Sequence, residues 1–226
     1  MRLLLLGLIL GIAMPSCEQS VEGSLPMTSY RYLALGDSYT IGQGVEYEAR
    51  WPGQLVDSLA ARGFTVDSLK YIAQTGWTTT DLQNAIDNSL PLEDFDMVSL
   101  LIGVNNQFQS IPFEVYEQEF DSLLSQAIAF AGGSDQVFVV SIPDYGVTPF
   151  GSGNAQQIGE QIDMYNAYAL QVCTDRGIPF IDITTISRQL GDGPDALAPD
   201  NLHPSRFQYS LWVEEVLPVV EVILGK

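Results

Sequence analysis

The chain has 226 residues, 46% of them hydrophobic, which is enough to bury the core of one α/β domain. Its 9 Lys and Arg stand against 28 Asp and Glu, a formal net charge of −19. That balance lacks the basic footprint of a nucleic-acid partner and the cationic patch that docks on anionic lipid; it serves solubility instead.

The chain starts with a targeting signal. Arg2 precedes the apolar stretch Leu3 to Met14, too short to span a bilayer and right for a signal-peptide core. The stretch closes on Met14-Pro15-Ser16-Cys17. A cysteine directly after such a core resembles the lipobox of bacterial lipoproteins, whose thiol is diacylated and becomes the new N-terminus. Ser16 fits that pattern, whereas Met14 and Pro15 depart from the usual Leu and small residue. The expectation is a signal peptide over 1–16, a polar tether over 17–29 beginning at lipidated Cys17, and one folded domain over 30–226. The protein would then be exported and held at the cell envelope, since two acyl chains anchor stably where one does not. The only other cysteine, Cys173, lies in a helical pattern and is expected to be a buried, inert thiol without a disulfide.

From Tyr32 to Leu35 an apolar run stops abruptly at Gly36, which reads as a buried strand ending in a turn. Gly42–Glu48 is a loop, and Trp51–Arg62 a helix closed by Gly63. Phe64–Ile72 is a strand with Lys70 on its polar side. Thr79–Leu90 carries Leu82, Ala85, Ile86 and Leu90 at helical spacing, with Thr79 or Thr80 as its cap. Met97–Ile102 is an apolar strand, Pro112–Ala131 a long helix ended by Gly132-Gly133, and Val137–Ile142 a strand stopped by Pro143. Asn154–Arg176 is a helix, Phe180–Ile183 a short strand, and Gly191–Pro204 a loop. Ser205–Leu224 is the last helix, which Pro218 should kink or divide. Five strands alternating with about five helices predict a parallel sheet covered on both faces, with no repeat and no second domain.

Four polar signals fall on loops at one sheet edge. Ser38 follows the first strand in Gly36-Asp37-Ser38-Tyr39, Gly76 follows the second, Asn105 follows the third, and His203 precedes the last helix. Open parallel sheets bind ligands in the crevice outside the strand ends. His203 is the only histidine, so it is the only imidazole available to take a proton from a serine near neutral pH. Asp200, three residues earlier, can reach the ring across one turn and fix its tautomer. Acyl transfer also needs donors where charge develops on oxygen. The Asn105 amide, the Gly76 N–H and the N–H of Ser38 are candidates. Tyr39, Trp77, Phe108, Tyr145 and Phe150 lie on nearby loops and could wall a pocket for an acyl group or a sugar, and Asn106 joins Tyr39, Trp77 and Tyr145 as a candidate substrate contact. Asp37 is too close to Ser38 in the chain to partner His203 and is expected to brace the turn. Asp192, Asp195 and Asp200 do not match the spacing of an EF-hand calcium loop, and no P-loop spacing is present. No metal or cofactor is expected.

With these four blocks in order, the chain resembles the SGNH (GDSL) family of serine hydrolases, whose name lists Ser, Gly, Asn and His. The resemblance runs from about Tyr30 to the C-terminus. It implies a flavodoxin-like three-layer α/β/α fold, with Ser38 as nucleophile, His203 as base and Asp200 as its orienter. It also implies an oxyanion hole made by Ser38, Gly76 and Asn105, and hydrolysis of acyl or acetyl esters through an acyl-enzyme. Asn106 departs from the family, which usually carries a loop-stabilising Asp there. The competing readings are a catalytically inactive module of the same fold that binds glycan or lipid, and a phosphatase-like domain using Asp37 with Mg²⁺.

Overall fold

The computed structural model describes residues 29–92 and 94–225. The expected signal peptide, Cys17 and all of the tether but its last residue lie outside them. Five strands form one sheet: β1 (Ser29–Gly36), β2 (Thr65–Ala73), β3 (Met97–Leu101), β4 (Val137–Val140) and β5 (Phe180–Ile181). All pairings are parallel, as the alternation of strands and helices predicts, and the order β2-β1-β3-β4-β5 is the flavodoxin-like arrangement that the family resemblance implies. Parallel strands buried on both faces read as unbroken apolar runs. Tyr32, Leu33, Ala34 and Leu35 of β1 are accordingly all fully buried, as are the residues of β3. β2 is an edge strand, and Lys70 on it is exposed.

The helices are α1 (Ser38–Ile41), α2 (Trp51–Ala61), α3 (Thr79–Asp87), α4 (Val104–Phe108), α5 (Phe113–Ala131), α6 (Ala155–Arg176), α7 (Thr184–Leu190) and α8 (Arg206–Leu224). They make two layers. In one, α2 packs on α8; in the other, α5 packs on α3 and α6; both α5 and α8 rest on β3. Trp51, Leu55, Leu59, Trp212, Val216 and Val220 are buried side chains of α2 and α8 in the first layer, and Tyr116, Phe120, Leu123, Leu124 and Tyr165 are buried side chains of α5 and α6 in the second, all within one continuous core. Burying side chains of this kind contributes roughly 1.5–3 kcal/mol each before chain entropy is counted.

Three details differ from the sequence reading. The α3 cap is Thr78, not Thr79 or Thr80: its hydroxyl accepts the Asp81 N–H at 3.3 Å while the Asp81 carboxylate accepts the Thr78 N–H at 2.9 Å. This reciprocal pair satisfies two N–H groups at once, which a lone threonine one or two positions later cannot do. Secondly, α8 runs through Pro218 as one element, so of the two expected effects of the proline, a kink or a division, the division does not occur. The ring at position 218 denies the Glu214 carbonyl its helical partner, but Pro218 and Glu214 both face solvent, so water can take that place. Thirdly, the sequence pattern does not predict the short helices α1, α4 and α7; four, five and seven residues are too few for a periodic pattern.

Candidate active site

β1, β2 and β3 end level with one another, since Gly36 pairs with Ala73 on one side and Leu101 on the other. The segments bearing Ser38, Gly76 and Asn105, the first and third of them the short helices α1 and α4, therefore leave the sheet from one line. A Cβ on Gly36 would lie 2.2 Å from Thr40 Oγ1 and 2.5 Å from the Leu101 carbonyl. Only glycine lets α1 fold back against the strand ends. Asp37 caps that helix, its Oδ1 accepting the Tyr39 N–H at 3.0 Å. The carboxyl is fully buried, its Oδ2 has no hydrogen-bond partner, and burial pushes its pKa up to about 7. Asp37 braces the turn. Ser38 is the first residue of α1, so its N–H is one of the end donors that no helical carbonyl can satisfy.

Gly76 sits in the turn closed by the Trp77 N–H on the Gln74 carbonyl at 3.3 Å, with φ of 85°. An added Cβ there would meet nothing within 4 Å, so the backbone angle, not space, is what calls for glycine. Asn105 is held by a bond from its Nδ2 to the Trp77 carbonyl at 2.9 Å. A side-chain amide has two N–H groups, so one is fixed and the other remains for the cleft.

His203 and Asp200 are on a loop pinned to itself. The Ala198 N–H donates to the His203 carbonyl at 2.8 Å and the Ser205 N–H to the Ala196 carbonyl at 3.0 Å. Asp200 Oδ1 accepts the N–H of Leu202 and of His203, both at 3.0 Å, while its Oδ2 lies 2.7 Å from His203 Nδ1. Partial burial on its own raises the Asp200 pKa. The His203 N–H, the His203 ring and the Leu202 N–H outweigh it and hold the group below the usual carboxylate range. An ionised Asp200 accepts a hydrogen bond from the Nδ1–H, which keeps the ring proton on Nδ1 and leaves Nε2 as the acceptor. The Tyr39 ring backs the imidazole at 5.6 Å between centroids and lies 6.3 Å from the Trp212 ring.

Ser38, Gly76, Asn105 and His203 line one cleft of about 220 Å³. Tyr39, Phe108, Tyr145 and Phe150 wall it, together with Thr75, Val104 and Leu202. The last three escaped the sequence reading. Val104 and Leu202 flank Asn105 and His203 in the chain, but nothing in the pattern shows that they turn inward. Two expected substrate contacts need correcting. Trp77 does not line the cleft: its ring packs against the core and its carbonyl holds Asn105. Asn106 is fully buried, its Oδ1 accepting the Thr79 N–H at 2.9 Å and its Nδ2 donating to Thr79 Oγ1 at 2.6 Å. The Thr79 hydroxyl donates onward to Glu119. Asn106 thus ties the loop after β3 to the start of α3, and an amide suits it because both a donor and an acceptor are used.

Among the described residues no group of three His, Cys, Asp or Glu side chains is arranged to hold a metal ion. Cys173 is a free, fully buried thiol whose pKa burial pushes up to about 12, far from a reactive thiolate.

The family model described as GDSL-like lipase/acylhydrolase matches residues 34–211. No curated protein matches the chain. Among solved structures it is similar to TesA, with 17% identity over 87% of this chain and 99% of that one and a TM-score of 0.67. An acetyl xylan esterase from Geobacillus stearothermophilus has 20% identity over 84% and 94%, at a TM-score of 0.66. A phospholipase A1 from Streptomyces albidoflavus NA297 has 23% identity over 86% and 99%, at 0.60. At such identities the likeness is one of fold.

Proposed function

Because the chain belongs to the GDSL-like lipase/acylhydrolase family, we propose that it is a serine esterase working through Ser38, His203, Asp200 and a covalent acyl-enzyme. The observation that carries this reading is the oriented pair: the Asp200 carboxylate grips the His203 ring at 2.7 Å in the same cleft that Ser38 lines.

His203 Nε2 accepts the Ser38 proton as Oγ attacks the ester carbonyl. Asp200 stabilises the imidazolium that forms and keeps the ring in the productive tautomer. The tetrahedral oxyanion takes the Ser38 N–H, the Gly76 N–H and the free N–H of Asn105. Such preset donors act at the moment charge appears and need no rearrangement. The imidazolium then protonates the leaving alkoxide, which departs as the alcohol. Water, deprotonated by His203, attacks the acyl-enzyme, and collapse of the second tetrahedral species returns the Ser38 hydroxyl and releases the acid. The apolar walls supplied by Val104, Leu202 and Tyr145 suit an acyl group.

We also propose export and anchoring through a diacylated Cys17. The support is the sequence alone, Leu3–Met14 followed by Ser16-Cys17. Cys17→Ala should move the protein from the membrane fraction to the soluble exported fraction, and unchanged membrane retention would overturn the anchor. For the chemistry, p-nitrophenyl acetate hydrolysis by the wild type should vanish in Ser38→Ala. A folded wild type without hydrolysis of any p-nitrophenyl ester would instead leave a binding module.

A further inference from the structure

We propose that the ester is carried on a neutral carbohydrate, and that a polar groove beside the cleft holds the sugar; this rests on the esterase reading above. The groove has a volume of about 290 Å³ and shares a wall with the cleft, for Phe108, Tyr145 and Phe150 line both. Phe108 and Phe150 are 54% and 56% exposed. Large apolar rings clustered in solvent beside an active site mark a binding surface. The rings of Phe108 and Phe150 are 5.8 Å apart, and that of Tyr145 lies 6.2 Å from the first and 6.3 Å from the second. The three make one ridge.

Beyond the ridge the groove is lined by Gln107, Gln157, Gln161 and Ser110, and by no charged residue. Gln107 is fixed at both ends, its Oε1 accepting the Tyr145 hydroxyl at 2.8 Å and its Nε2 donating to Gln161 Oε1 at 2.7 Å. Each amide has donors beyond those used in this chain of bonds. Gln157 and Gln161, four residues apart, share one face of α6. Amide donors and acceptors beside flat apolar faces match the two surfaces of a sugar, hydroxyls at its rim and C–H groups on its faces.

The lining also argues against the other ester class. A phospholipid head group carries a phosphate, yet no Lys or Arg lines either the cleft or the groove. With a net charge of −19 the chain does not attract an anionic head group from a distance, and for a zwitterionic one such as phosphocholine the lining still offers no Lys or Arg to hold the phosphate. An acyl chain laid across the ridge would meet amides, which would lose water without gaining partners. A neutral polyol loses nothing on either count. The ester carbonyl therefore sits at Ser38, its acyl group in the cleft, and the sugar crosses the ridge into the groove.

The test compares three esters: acetylated xylan or glucomannan oligosaccharides, p-nitrophenyl acetate, and lysophosphatidylcholine. Gln157→Leu alone, at an exposed site, and with Gln161→Leu should lower the ratio of kcat/KM on the oligosaccharides to that on p-nitrophenyl acetate by at least about tenfold, roughly the loss of one good hydrogen bond. Ser38→Ala should bind the unacetylated oligosaccharides, and the double substitution should weaken that binding by a similar factor. An unchanged ratio, or a wild type that turns over lysophosphatidylcholine and p-nitrophenyl acetate but not the oligosaccharides, overturns the sugar groove while leaving the esterase intact. A wild type inert towards all three esters removes the esterase reading itself.

Discussion

Asp200→Asn separates the role of the carboxylate's charge from its role in shaping the loop. Asp200 Oδ1 accepts two backbone N–H groups, from Leu202 and His203, and Oδ2 accepts from His203 Nδ1. An asparagine can keep the first two bonds with its carbonyl oxygen, so the loop should hold its shape. Its NH₂ then faces Nδ1, which must become an acceptor, and the ring proton moves to Nε2. The base is lost because the nitrogen facing the cleft already carries a hydrogen. Flipping the amide does not rescue it, for the NH₂ would then face two N–H donors and forfeit two hydrogen bonds, each worth about 1 kcal/mol net. The wrong tautomer is therefore favoured, and the expected fall in kcat is about 10³- to 10⁴-fold, or roughly 4–5.5 kcal/mol of barrier. The Asp200 side chain is 35% exposed, so water shares its work and the lower end is the better figure. Steady-state kinetics on p-nitrophenyl acetate, with circular dichroism and urea unfolding to check the fold, provides the assay. A folded Asp200→Asn enzyme retaining more than a tenth of wild-type kcat would refute the reasoning.

Asn105→Ala removes the side-chain donor to the oxyanion and should lower kcat by about 10²- to 10³-fold with little change in KM; a matching rise in KM with kcat preserved would assign Asn105 to ground-state binding instead. Asp37 gives a prediction about stability. Unfolded, its carboxyl loses its proton near the ordinary aspartate value of 3.8, while folded it holds the proton until about 7. Between those values the unfolded state binds fewer protons, so Asp37 makes stability fall as pH rises through that window. Urea unfolding from pH 4 to 8 should show this decline in the wild type relative to Asp37→Asn, and a difference that is flat or rises with pH would contradict it.

Much of the architecture was legible because the central strands are buried on both faces. Tyr32–Leu35, Met97–Ile102 and Val137–Ile142 could be read as strands from apolar continuity alone, and the alternation with helices left a doubly covered parallel sheet. The capping box at Thr78 was only partly within reach: Asp81 three residues on distinguishes it from Thr79, which has Leu82 at that spacing, but Thr80 has Gln83 there and fits the same pattern. Side-chain direction was not. Asn105 and Asn106 are adjacent, and Trp77 follows Gly76, so sequence could place all of them on the right loops. Which of them faces the cleft depends on turns of a few residues and on partners far away, such as Glu119 on α5 for the Asn106–Thr79 pair. The glutamines of the groove had no signal, because Gln107 and Gln161 meet only when α4 comes against α6.

The central claim is that Ser38 is an activated nucleophile, and covalent capture tests it most directly. A fluorophosphonate probe should label the wild type once, and mass spectrometry should place the adduct on the Ser38 peptide. Ser38→Ala should remain unlabelled, and Asp200→Asn should label much more slowly. Folded wild type that takes no label, or takes it on another residue with Ser38→Ala labelled as fast, would contradict the account.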